Sequence, residues 1–171
     1  MSQPQSPLPG KPSRESAVVM TEIVLPSDTN ALGTIFGGKI MAWIDIAGAI
    51  AAGRHARRVV VTASIDALHF VAPVKLGHVV HIRAAVNYAG KTSMEVGVRV
   101  ESENPVTGER NHTATAYTTF VGLNDSGKPA PVPPVIPETP EEKRRYQEAI
   151  KRRASRIKLA EDIKQGRIQQ D

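Results

Sequence analysis

The chain has 171 residues, enough for one domain with a sizeable core plus an appendage, and its lack of cysteine excludes disulfides, thiolate nucleophiles and cysteine metal sites. Its net charge of +5 is concentrated near one end: residues 138–171 hold ten Lys/Arg against seven Asp/Glu, and the rest is close to neutral. Tyr146 is the only aromatic residue in that basic segment, so a solvated helix face accounts for the charge and no nucleic-acid partner is expected.

Residues 1–15 are polar and proline-rich without the apolar stretch of a secretory signal, and they read as a disordered tail. Ala17–Leu25 alternates as a strand and stops at Pro26. The loop PSDTNALGTIF leads to Gly37-Gly38, where a helix opens that runs to about His55 or Ala56. Its apolar run, 40–53, is too short to span a membrane, which takes ~20 residues, so a cytoplasmic protein is expected. Four extended segments follow: Val59–Phe70, closed off by Pro73 and Gly77, then Val79–Tyr88, Thr92–Glu103 and Arg110–Leu123. Met94, Val96, Val98 and Val100 fall on one face of the third. Residues 16–126 thus form one domain, 127–137 a proline-rich linker, and 138–171 a basic C-terminal helix with Tyr146, Ala149, Ile150, Ile157 and Ala160 at helical spacing.

A helix that is apolar all round must be covered on more than one side. The expected fold is therefore α+β: a curved, mostly antiparallel five-stranded sheet wraps the central helix, and a second copy of the chain closes the remaining side. From Ile40 to Gly53 the only ionisable group is Asp45. A carboxylate buried there without a partner would cost several kcal/mol, at roughly the scale of an unpaired polar group or more. Either chemistry, a satisfying partner or an interface groove must account for it.

The string Asn30-Ala-Leu-Gly33-Thr-Ile-Phe36-Gly37-Gly38, followed by Asp45-Ile-Ala-Gly48, resembles the signature of hotdog-fold acyl-CoA thioesterases, especially the YciA-like and brain acyl-CoA hydrolase group. Val61-Thr62-Ala-Ser-Ile-Asp66, Phe70, Pro73, Gly77 and Gly90-Lys91-Thr92-Ser93 extend the resemblance over residues 17–125. It implies hydrolysis of acyl-CoA to free acid and CoA, no cofactor besides the CoA of the substrate, and sites shared within a dimer that often joins a trimer of dimers. By the same resemblance Asp45, Asn30 and Gly37 are catalytic, while Gly38, Gly90, Lys91, Thr92 and Ser93 contact CoA. The arginines of the C-terminal helix (Arg144, Arg145, Arg152, Arg153 and Arg156) are weaker candidates for phosphate contacts.

The chemistry of the residues agrees. A helix N-terminus presents unpaired N–H groups and a partial positive charge, suited to the oxyanion of a tetrahedral intermediate. Asp45 activates water or attacks the thioester carbon itself. Eight residues separate it from Gly37, about 12 Å along a helix at 1.5 Å per residue, too far for both to act on one carbonyl. The two must work in trans across a dimer. Asn30 is placed in the loop to orient water or the carbonyl.

Other motifs are weaker. Ala85 stands where a P-loop ending at Gly90-Lys91-Thr92 needs glycine, and neither a G-x-S-x-G nor an H-E-x-x-H string occurs. His69, His78 and His81 lack metal-ligand grouping and read as strand surface, so no metal is expected. Thr62 and Ser64 line a pocket or face the helix, and Asp66 orders a loop. Two alternatives are a hotdog hydratase or dehydratase, resting on Leu68–Gly77, and a non-catalytic acyl-CoA sensor. In such dehydratases the catalytic His precedes the central helix, and no His precedes His55 here.

Overall fold

Helix α1 (Gly37–Ala56) starts after Phe36 in extended backbone and stops at Arg57, whose left-handed φ of 52° lets its N–H reach the Gly53 carbonyl at 2.8 Å. It is the centre of a computed structural model that describes residues 8–168. Around it in chain order lie β1 (Lys11–Pro12), β2 (Val18–Ile23), β3 (Val60–Ile65), β4 (His69–Phe70), β5 (Val79–Ala89), β6 (Ser93–Glu103), β7 (Arg110–Gly122), β8 (Val135–Ile136) and helix α2 (Pro140–Ile168). The main sheet is antiparallel throughout in the order β2–β5–β6–β7–β3, with β4 also paired to β7.

Alternation sets the inner face. Met94, Val96, Val98 and Val100 of β6 are all buried, as are Ile82 and Val86 of β5 and Ala114, Ala116 and Phe120 of β7. Ile40, Trp43, Ile44, Ala47, Ala51 and Ala52 of α1 fill the hollow of this sheet, and Gly48 allows the closest approach, since a Cβ there would lie 2.9 Å from the Phe120 ring. The far side of α1 is uncovered: Met41, Ile46 and Ile50 are 43%, 48% and 39% exposed. No described helix is long and apolar enough to cross a membrane.

Three expectations are corrected. Val59–Phe70 is not one strand: the register against β7 slips between Thr62 and Ser64, and the chain leaves the ladder before resuming as β4. This places β3 at the free edge of the sheet, with Val61 44% exposed. The 1–15 tail is ordered over its described part, and the 127–137 linker is packed down. β1 pairs in parallel with β8, Arg14 pairs with Glu138, and Ala130, Val132 and Val135 are buried. The cause is an unpaired edge: β2 meets β5 only as far as Ala84, so beyond it Val86 donates its N–H to Ser16 Oγ at 2.9 Å and accepts from Ser13 Oγ at 2.7 Å. Residues 1–7 lie outside the described part.

The third correction concerns the C-terminal helix. Tyr146 and Ala149 do dock on the sheet, Tyr146 stacking edge-on against Tyr88 at 5.2 Å between ring centroids. Ile150, Ile157 and Ala160 stay exposed. Two arginines take their place, because the outer face of β6 carries a buried acid, Glu95, only 1% exposed. Arg152 Nη2 reaches it at 2.7 Å and Arg156 Nη1 at 2.9 Å, while the same Arg156 nitrogen holds Asp66 at 2.7 Å. Arg152 also lies 3.5 Å over the Tyr117 ring.

His55 ties α1 to the proline-rich segment. It is fully buried, its Nε2 bonds the Pro133 carbonyl at 2.8 Å, and Nδ1 has no partner among the described residues. Burial pushes its titration below the ordinary value of 6.5, outweighing the Pro133 contact that favours the charged ring. The unfolded chain therefore takes up the proton more readily, and stability falls as pH drops through about 6.5. The melting temperature should fall between pH 7 and 5.5 in the wild type and fall much less in His55→Gln, which cannot titrate. Equal acid sensitivity in the two proteins would remove this role for His55.

Candidate active site

Asp45 stands midway along α1, half-buried, on the uncovered side among Met41, Ile46 and Ile50. Its Oδ1 accepts the Thr62 hydroxyl at 2.6 Å, the length of a hydrogen bond to a charged oxygen. Thr62 sits beside the register slip of β3, so the edge strand braces the carboxylate in one orientation. Oδ2 has no hydrogen-bond or ion-pair partner among the described residues.

The helix start is built by the loop before it. Asp28 accepts the Leu25 N–H at 3.1 Å and pairs with Lys39 Nζ at 3.0 Å, and these two contacts, the backbone one first, hold its carboxyl below the usual range. The Phe36 N–H reaches the Asp28 carbonyl at 2.8 Å, which fixes the entry into α1. Asn30 closes the loop on itself: Oδ1 accepts the N–H groups of Leu32 at 2.9 Å and Thr34 at 3.3 Å, and Nδ2 donates to Thr34 Oγ1 at 3.0 Å. This is the turn chemistry of asparagine, and it leaves one amide hydrogen unspent.

Gly37 lines a cleft of about 60 Å³ with Thr34, Ile40, Phe70 and Pro73. A Cβ on Gly37 would stand 3.4 Å from the Phe70 ring, at the mouth of that cleft. At Gly38 the missing side chain serves a neighbour, since a Cβ would come within 2.5 Å of the Phe36 ring. The Gly37 N–H is among the first of the helix, which have no carbonyl to bond within it. His69 stands exposed on β4, while its neighbour Phe70 reaches the cleft.

The turn Gly90–Ser93 joins β5 to β6 and is held by Gly90 N–H to Ser93 O at 2.8 Å and by Val132 N–H to Lys91 O at 3.0 Å. Lys91 is exposed, and Thr92 and Ser93 are half-exposed. Of the five candidate arginines on α2, Arg152 and Arg156 are spent on Glu95 and Asp66, and Arg144 and Arg145 on Glu141. Among the described residues there is no cluster of three or more metal-ligating side chains.

A thioesterase-superfamily profile matches residues 32–109. YkhA of Bacillus subtilis, an uncharacterized acyl-CoA thioester hydrolase, is 47% identical over 139 residues, 81% of each chain. The chain belongs to the hotdog-fold acyl-CoA thioesterases. A hexameric acyl-CoA thioesterase solved without ligand superposes on this thioesterase with a TM-score of 0.87 and 47% identity, covering 90% of this chain and 98% of the other. The acyl-CoA hydrolase of Staphylococcus aureus, solved with butyryl-CoA, CoA and CoA disulfide, follows at 0.82 and 41%, covering 91% and 98%. That hydrolase has also been solved as single alanine variants of an aspartate, an asparagine and a threonine.

Sequence reasoning left the contact between Thr62 and Asp45 undrawn in this thioesterase. The pair lies 17 residues apart, and no local spacing signals it. The buried Glu95 was also missed. Its only local mark is an acid within the apolar-rich alternation of β6, on the face opposite Met94 and Val96.

Proposed function

We propose that the protein hydrolyses acyl-CoA to a free carboxylic acid and CoA, in sites shared between the two subunits of a homodimer. The observation that carries this reading is Asp45 itself: one carboxylate on the open apolar side of α1, braced by Thr62 and eight residues beyond the helix start. Asp45 acts as general base toward water, or as nucleophile on the thioester carbon. In the first route water attacks that carbon, its proton passes to Asp45, and the oxyanion is held by the Gly37 N–H of the opposite subunit. Collapse expels the CoA thiolate, which takes the proton back. The unspent amide hydrogen of Asn30 orients the water or the carbonyl. Gly38, Gly90, Lys91, Thr92 and Ser93 contact CoA.

Three observations support the assignment. Asn30, Asp45 and Thr62 are separated by 15 and then 17 residues, the same separations as the asparagine, aspartate and threonine varied in the S. aureus hydrolase. The uncovered Met41, Ile46 and Ile50 are the surface a second α1 would cover. The hexameric neighbour fits a trimer of such dimers.

The test is thiol release from a panel of acyl-CoAs. Turnover on none of them would remove the proposal. Shared sites are tested by mixing inactive Asn30→Ala and Asp45→Ala subunits. Each mixed dimer regains one intact site, so random reassortment should restore about a quarter of wild-type activity. No recovery in verified mixed dimers would place the groups within one subunit.

A further inference from the structure

A groove of about 240 Å³ runs beneath α2 on the outer face of the sheet, opposite the hollow that holds α1. Its polar lining is Ser64, Ser93, Glu95, Thr119, Arg153 and Arg156. The first four meet there because Thr119 is the register partner of both Ser64 and Glu95, and Ser93 begins the strand that carries Glu95. The Thr119 hydroxyl is buried without a hydrogen-bond partner among the described residues. A group left so normally costs ~1–3 kcal/mol, which favours a site that brings it an acceptor.

The charges around the groove can be counted. Arg152 and Arg156 face Glu95 and Asp66 and are neutralised by them. Arg153, exposed at the rim, has no ion-pair partner among the described residues, so one positive charge is in excess. One free guanidinium beside three hydroxyls suits a phosphate, which offers several acceptor oxygens, better than a carboxylate with two. The volume is below the ~300–1,000 Å³ of a pocket enclosing a whole drug-sized ligand, so the groove takes one end of a larger molecule. Ser93 makes it continuous with the turn at Gly90–Ser93.

We propose that this groove receives the 3′-phosphate of the CoA nucleotide, with Arg153 as its charged contact and the hydroxyls of Ser64, Ser93 and Thr119 as donors. The inference rests on the acyl-CoA reading above, and it narrows five candidate arginines to one. Arg153 belongs to binding and takes no part in the bond-breaking step.

Calorimetry with CoA and with dephospho-CoA, which lacks only the 3′-phosphate, tests it without requiring turnover. The wild type should bind CoA about tenfold or more tightly than dephospho-CoA, the scale of a charge-assisted hydrogen bond. Arg153→Ala should bind the two alike, with an unchanged melting temperature, and Arg153→Lys should recover part of the difference. In steady-state assays Arg153→Ala should raise KM for acyl-CoA about tenfold and leave kcat in place. Equal wild-type affinity for CoA and dephospho-CoA overturns the proposal, as does an Arg153→Ala loss that is the same for both. Inorganic phosphate binding that depends on Arg153, without discrimination between the two CoA forms, would mark a free-phosphate site and also overturn it. Discrimination by Arg153 without hydrolysis of any acyl-CoA supports the groove and removes the hydrolase reading instead.

Discussion

Replacing Asp45 by Asn should lower kcat for thioester hydrolysis about a thousandfold and change KM little. A positioned base or acid contributes ~10²–10⁴-fold, and Asn keeps the size of the side chain while removing its capacity to take a proton or attack carbon. KM should hold because the CoA contacts proposed above, at the turn Gly90–Ser93 and the groove beneath α2, do not involve Asp45. Thr62→Val is the companion. It keeps the shape of Thr62 but deletes the 2.6 Å hydrogen bond to Asp45, leaving the carboxylate free to rotate. Loss of a hydrogen bond to a charged group is worth ~1.5–3 kcal/mol, so a fall in kcat of about tenfold or more is expected. Thiol release measured colorimetrically on the preferred acyl-CoA gives both numbers. Activity of Asp45→Asn within threefold of wild type would disqualify the carboxylate as the reacting group.

The largest effect on stability should come from Glu95→Ala. Glu95 is 1% exposed and holds Arg152 and Arg156, whose side chains are themselves only 22% and 20% exposed. Removing it leaves two guanidinium groups against the sheet, Arg156 with Asp66 at 2.7 Å and Arg152 with only the more distant Glu148 at 3.9 Å. Breaking a buried pair in this way costs ~3–5 kcal/mol, against ~0–1 kcal/mol for an exposed pair. Chemical denaturation followed by circular dichroism should show that loss, and protease should cut α2 sooner than in the wild type. Glu141→Ala, which breaks exposed pairs with Arg144 and Arg145 on the same helix, is the control and should stay within about 1 kcal/mol. Equal effects of the two substitutions would mean that the buried network does not hold α2 in place.

The division between what could and could not be read beforehand follows the range of each interaction. Helix α1 was legible at its start, because Gly37-Gly38 open a run of small and apolar residues that only Lys39 and Asp45 interrupt as far as Gly53. The inner face of β6 was legible because alternation is a property of the strand itself. Asp45 was legible as an anomaly, one charge where every neighbour is apolar. The ordered segment at 11–16 was not, since its hydroxyls answer a gap in pairing at Val86 that exists only once β2 ends short of it. The docking face of α2 was misjudged for a similar reason. Helical spacing selected Ile150 and Ile157, but the acid waiting on the sheet selected Arg152 and Arg156.

By itself, then, the sequence determined the two helices and the long strands, the inner face of β6 and the one residue that demands a chemical reason, because helix and strand periodicity and the cost of burying charge act over a few neighbours. Only the tertiary structure decided which side of α1 stays open, that Thr62 rather than a residue of the helix braces Asp45, and which of the five candidate arginines of α2 keeps a free charge. Those are contacts across 17 to 90 residues of chain, made by the register of a sheet folded around a helix, and no local pattern encodes them.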